Sequence, residues 1–93
     1  MNILIWLQEA QIDLYIIAQY IMQDSVFYAR QTAQNIDSKV NDLKLFPYMG
    51  RVVPEINQYY IRELIYKSYR ILYQVFQDKI YIIGVIHSSR NML

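Results

Sequence analysis

His87 is the only histidine of the chain, and Arg70 is one of six cations in its second half. An imidazole can give or take a proton near neutral pH, and a guanidinium fork can hold two phosphate oxygens. Counting along the chain places the two relative to each other. If Asp78-Lys79 is a two-residue turn between strands, Gln77 pairs with Ile80 and Arg70 falls opposite His87. Slipping the turn by one residue in both arms keeps the two side chains on one face, because the side-chain period of a strand is two. Only an odd-length loop or a bulge would part them. The pair would make a metal-independent acid/base and phosphate-binding site. The other reading of the same residues is an exposed sheet end with two ordinary polar side chains.

Arg51 and Glu55 lie in a stretch bracketed by Pro47 and Pro54. A carboxylate there could serve as a general base or hold an arginine in position. The plainer reading is a soluble loop with a Glu–Arg surface pair. Arg62 and Glu63 fall in a strand and are expected on the surface rather than in a site.

Other chemistries are excluded by what is missing. There is no cysteine, so disulfides, zinc thiolates and thiol nucleophiles do not arise. One histidine with scattered carboxylates does not make a metal site, no glycine-rich phosphate loop is present, and no cofactor is expected. Ser88 and Ser89 adjoin His87, but sequence neighbours on a strand point to opposite faces, which argues against a Ser–His dyad. A helix-turn-helix DNA reader fits poorly, because the helical half is acidic and phosphate contact would penalise that.

The elements that would position these residues can be read from periodicity. Asn2 to Trp6 is a short buried strand. In Leu7 to Met22, Ala10, Leu14, Ile17 and Ile21 recur on one helical face, while Ile12, Ile16 and Tyr20 form a second apolar stripe. Such a helix could lie between a sheet and something else. Asp24-Ser25 breaks the chain and offers a cap. Val26, Ala29, Ala33, Ile36, Val40 and Leu43 then mark a second amphipathic helix ending near Leu45. The two helices should form an antiparallel hairpin.

Phe46 to Pro54, with both prolines and Gly50, reads as a loop or irregular strand. Three strands follow at Ile61 to Tyr66, Tyr69 to Gln77 and Ile80 to His87, joined by Lys67-Ser68 and Asp78-Lys79. Links this short mean an antiparallel meander. The near-continuous apolar run of the last strand marks it as central. The expectation is an α+β fold of order β-α-α-β-β-β, a helix hairpin on a mainly antiparallel sheet of about four strands, in one domain over residues 1–93.

Composition bounds the partners. The apolar share is 55%, and ten of those residues are tyrosines. Tyrosine is only half a core residue, so the surplus could cover an interface buried in a complex, or simply fill strands. Residues 1–46 carry three cations against five acids, and residues 47–93 carry six against three. That weak basic bias in the second half suits an anionic partner, either nucleic acid or an acidic peptide. No basic n-region or cleavage site marks a signal peptide, and Ile12 to Met22 is too short and too polar to span a bilayer. A cytoplasmic location without membrane contact is expected.

The ordered set Trp6, Ala10, Asp13-Leu14 and Tyr20-Ile21, then Pro47, Gly50-Arg51, Val53-Pro54-Glu55 and Arg62-Glu63-Leu64, resembles the RelE/ParE superfamily of toxins. The strongest stretch is Tyr69-Arg70-Ile71-Leu72-Tyr73, followed by Ile82-Ile83, Val85, His87 and Arg90. The resemblance covers nearly the whole chain in order. It implies the toxin of a type II toxin–antitoxin pair, neutralised by a cognate antitoxin, with no small-molecule substrate. It also implies one of two activities. RelE-like members cut messenger RNA on the ribosome, and in that branch Arg70, His87, Glu55 and Arg51 would be the catalytic residues. ParE-like members inhibit DNA gyrase. Here His87 is followed by Ser88-Ser89-Arg90 with no aromatic residue after Gly84, an ending that looks more like the ParE branch. Arg90, Tyr73 and Tyr81 are then assigned to partner contact. A degenerate member that acts only as a binding module is the third alternative.

Overall fold

A computed structural model describes residues 1–88 of the chain. Strand β1 (Ile3–Trp6) runs directly into helix α1 (Gln8–Met22). The helix has no capping side chain at Leu7. Its start is fixed instead by the sheet, because the Leu7 N–H donates to the carbonyl of Ile82 at 3.0 Å. Helix α2 (Val26–Asn41) begins as its sequence requires, with the Ser25 hydroxyl accepting from the Tyr28 N–H at 3.1 Å. A single 3-10 turn (Asp42–Lys44) closes it.

Strands β2 (Arg51–Val52), β3 (Ile61–Tyr66), β4 (Tyr69–Phe76) and β5 (Lys79–His87) complete one sheet in the order β1-β5-β4-β3-β2. The β3-β4-β5 meander is antiparallel as expected. The sheet has five strands rather than four. The extra one is the two-residue β2, paired antiparallel with β3 in the proline-bracketed segment. β1 adds to the free side of β5 in parallel, which places β5 inside the sheet.

One side of the sheet carries the core. Leu64, Ile71, Tyr73, Val75, Ile80, Ile82 and Val85 pack there against Ala10, Ile36, Val40 and Leu43 of the helical layer. Side chains alternate along a strand, so Glu63, Arg70 and Leu72 must point to the opposite face. The second apolar stripe of α1 does not meet the sheet: Ile12, Ile16 and Tyr20 are exposed, as is Tyr15.

Candidate functional site

The register of β4 with β5 changes within the hairpin. From Phe76↔Lys79 to Tyr73↔Ile82 it is regular, but Leu72 then pairs with Gly84, leaving Ile83 as the extra residue of a bulge. Beyond it Arg70 pairs with Ile86, and Tyr69 pairs with His87. The pairing of Arg70 with His87 expected from the turn is therefore not formed. The bulge turns His87 to the helix side, where its ring meets the Tyr69 ring edge-on at 5.9 Å. Arg70 stays on the other side.

On that other side Arg70 is enclosed by carboxylates. Its Nη1 and Nη2 donate to the two oxygens of Glu55, both at 2.7 Å, and its Nε donates to Glu63 at 2.6 Å. The second Glu63 oxygen accepts from Arg51 Nε at 2.5 Å. Glu63 is wholly buried and Arg70 almost so, while Arg51 is largely exposed. A buried carboxylate needs such compensation, and two arginines supply it. The hydrogen bonds from Arg70 to Glu55 raise the pKa of the guanidinium above its ordinary value, against the opposing effect of burial. Glu55 reaches Arg70 because the segment after β2 is tightly turned. The N–H groups of Ile56 and Asn57 both donate to the Val53 carbonyl, and Asn57 adopts a φ of 56°.

Thus Arg51, Glu55 and Arg70 do form one cluster, but His87 is not part of it. The residue that joins them is Glu63, which periodicity alone had assigned to the surface. Its signal was available: Glu63 and Arg70 fall on the same face of neighbouring strands once the Lys67-Ser68 turn is counted. Tyr73, assigned to partner contact, is fully buried, and its hydroxyl accepts from the Gly50 N–H at 3.0 Å. Burial raises its pKa, an effect the Gly50 hydrogen bond partly opposes. It is a core residue. Tyr81 is half-buried on β5, and Arg90 lies outside the described residues. Gly50 is required where it stands, since a Cβ there would lie 2.5 Å from the Glu63 carbonyl oxygen and 2.7 Å from the Tyr73 hydroxyl.

Asp13 of α1 is a second residue that chemistry-based reading passed over. β1 ends opposite Ile82, so the edge of β5 beyond it lacks a strand partner there. Asp13 Oδ2 accepts the Val85 N–H at 3.0 Å. The helix thus takes over where β1 stops. Among the described residues no three His, Asp or Glu side chains are gathered as a metal ion would need, and no helix is long and apolar enough to cross a membrane.

A helix hairpin on one face of this sheet is the architecture that the resemblance to the RelE/ParE superfamily implies. The family model for the ParE toxin of type II toxin–antitoxin systems, parDE, matches residues 4–92, and the chain belongs to that family. Among solved structures, a chain of the chromosomal ParDE TA system from P. aeruginosa superimposes with a TM-score of 0.77. It is 22% identical, and the match covers 94% of this chain and 96% of that one. No curated protein sequence matches the chain.

Proposed function

We propose that this toxin acts by binding DNA gyrase and inhibiting it without catalysis, and that a cognate antitoxin neutralises it. The observation that carries this reading is the enclosure of Arg70. An arginine that stabilises a scissile phosphate must present its fork to the substrate. Here three of its N–H groups are directed at Glu55 and Glu63, and the bulge at Ile83 sends His87 to the opposite face. The arrangement favours a structural arginine over a nuclease centre. Membership of the ParE family supports the same choice, as does the likeness in fold to a chain of a ParDE system.

The exposed stripe Ile12, Ile16 and Tyr20 of α1, beside Tyr15, supplies apolar surface that an antitoxin segment would cover on folding against it. The test is expression of the purified chain into two assays, supercoiling by gyrase and transcript integrity in a translating extract. Loss of supercoiling with intact transcripts is expected, and His87→Ala should change neither result. Transcript cleavage that His87→Ala abolishes, with gyrase unaffected, would overturn the proposal.

A further inference from the structure

Arg62 of β3 is held in a manner unlike Arg51 and Arg70. Its Nε donates to the Tyr59 carbonyl at 2.8 Å and its Nη1 to the Gly50 carbonyl at 3.0 Å. The guanidinium carbon lies 4.6 Å from the Tyr59 ring centroid and 5.1 Å from that of Tyr48. The two rings are themselves 4.9 Å apart. Carbonyl dipoles and π faces orient the cation without neutralising it. Among the described residues no carboxylate pairs with it. Among these residues no buried side-chain nitrogen or oxygen lacks a partner, so Nη2, which makes no hydrogen bond there, reaches solvent.

The surroundings are apolar and exposed. Phe46 and Met49 are exposed and line one hollow with Tyr48, and Tyr59 is exposed against the cation. Helix α1, with its own exposed stripe, packs on β5, which β4 separates from β3. The molecule therefore has two separate apolar surfaces, and this one carries a cation held in place with its charge uncompensated among the described residues. Tyrosine and arginine together are the side chains that most often anchor protein interfaces. The guanidinium is already oriented by its carbonyl partners and the two rings, which lowers the entropy cost of binding.

We infer that the Tyr48–Arg62–Tyr59 cluster is the surface by which the toxin grips its protein target, with an aspartate or glutamate of that target seated on Arg62 and apolar neighbours packed on the tyrosines. The inference rests on the proposed reading of the chain as an inhibitor that works by binding. An acidic protein segment fits better than nucleic acid, which rewards a row of cations. Here the adjacent Arg51 is already engaged by Glu63.

The test uses Arg62→Glu, Arg62→Lys and Tyr59→Ala in the full chain, with growth arrest on expression, inhibition of gyrase supercoiling and thermal melting as readouts. Arg62→Glu should weaken inhibition by at least about thirtyfold, the size of a hot-spot loss. Arg62→Lys and Tyr59→Ala should each fall between it and the parent chain. All three should melt within a few degrees of the parent. Full potency of a folded Arg62→Glu chain would overturn the inference, as would equal retention of growth arrest. If the parent chain arrests growth but leaves gyrase untouched, the gyrase reading fails. The surface is then judged on growth arrest alone: loss with Arg62→Glu upholds it and retention overturns it. Weakening that tracks binding to a plain DNA duplex, rather than to protein, would also overturn it.

Discussion

Arg62 and Arg70 stand on neighbouring strands and on opposite faces of the same sheet, and they are treated in opposite ways. Arg70 is removed from water and matched by the buried Glu63 and the half-buried Glu55. Arg62 is held by three backbone carbonyls, those of Tyr59, Gly50 and, more distantly, Tyr48, and by two tyrosine rings, and its charge is left over. The first arrangement satisfies the fold and leaves little to offer a partner. The second fixes a cation in place while keeping its charge available. Residue type alone does not separate the two roles. What separates them is whether the counter-charge comes from within the chain.

The largest expected effect would test the closed cluster. Arg70→Ala leaves Glu55 and the wholly buried Glu63 short of a cation, and should cost about 3–5 kcal/mol, read from denaturant unfolding. Arg62→Ala should cost about 1 kcal/mol, because its losses are confined to hydrogen bonds at a partly exposed site. Equal losses at the two positions would erase the distinction between them.

An effect below that of Arg70→Ala should follow from Tyr73→Phe, which strips the acceptor from the N–H of Gly50, the residue whose carbonyl holds Arg62. About 1–3 kcal/mol is expected. The pKa of Tyr73 is raised by burial, so the folded state keeps its phenol protonated after the unfolded chain has begun to ionise. Its contribution is complete below about pH 10 and declines as pH climbs towards the folded value. Melting of the parent chain should therefore fall more steeply above about pH 10 than melting of Tyr73→Phe.

The smallest effect lies away from both arginines. Gln77 opens the β4–β5 turn at a φ of 57°, a conformation that glycine adopts freely. Gln77→Gly should gain up to about 1 kcal/mol, a rise of several degrees in melting temperature, and leave inhibition unchanged.

Much of this architecture could be read from residue order. The apolar spacing from Val26 to Leu43 and the Ser25 cap gave α2 within a few residues, and the Lys67-Ser68 turn gave the β3–β4 pairing. The parallel addition of β1 to β5 has no local signal, because no turn connects them. β2 is too short for periodicity to register. The site was harder, since its geometry hangs on one inserted residue. An isolated Gly84 within a strand pattern was the available hint of a bulge, but nothing in the sequence fixes the register shift at Leu72/Tyr73. Glu63 misled because a strand glutamate is ordinarily solvated, and only the loop carrying Glu55 closes that face over it.

The parallel pairing of β1 with β5 also orders events during synthesis. Ile3 meets Lys79 and Trp6 meets Ile82, so the first strand made has no partner until the last of these strands exists. The helix hairpin and the meander can form from near neighbours, whereas β1 must wait with its apolar side chains unpaired. Contacts that distant along the chain are slow to close. Until they do, α1 lacks the anchor of its Leu7 N–H and Asp13 lacks its strand. A newly made chain thus passes through an interval in which its helical face is loosely seated, and a helper protein translated nearby would meet it in that half-built form.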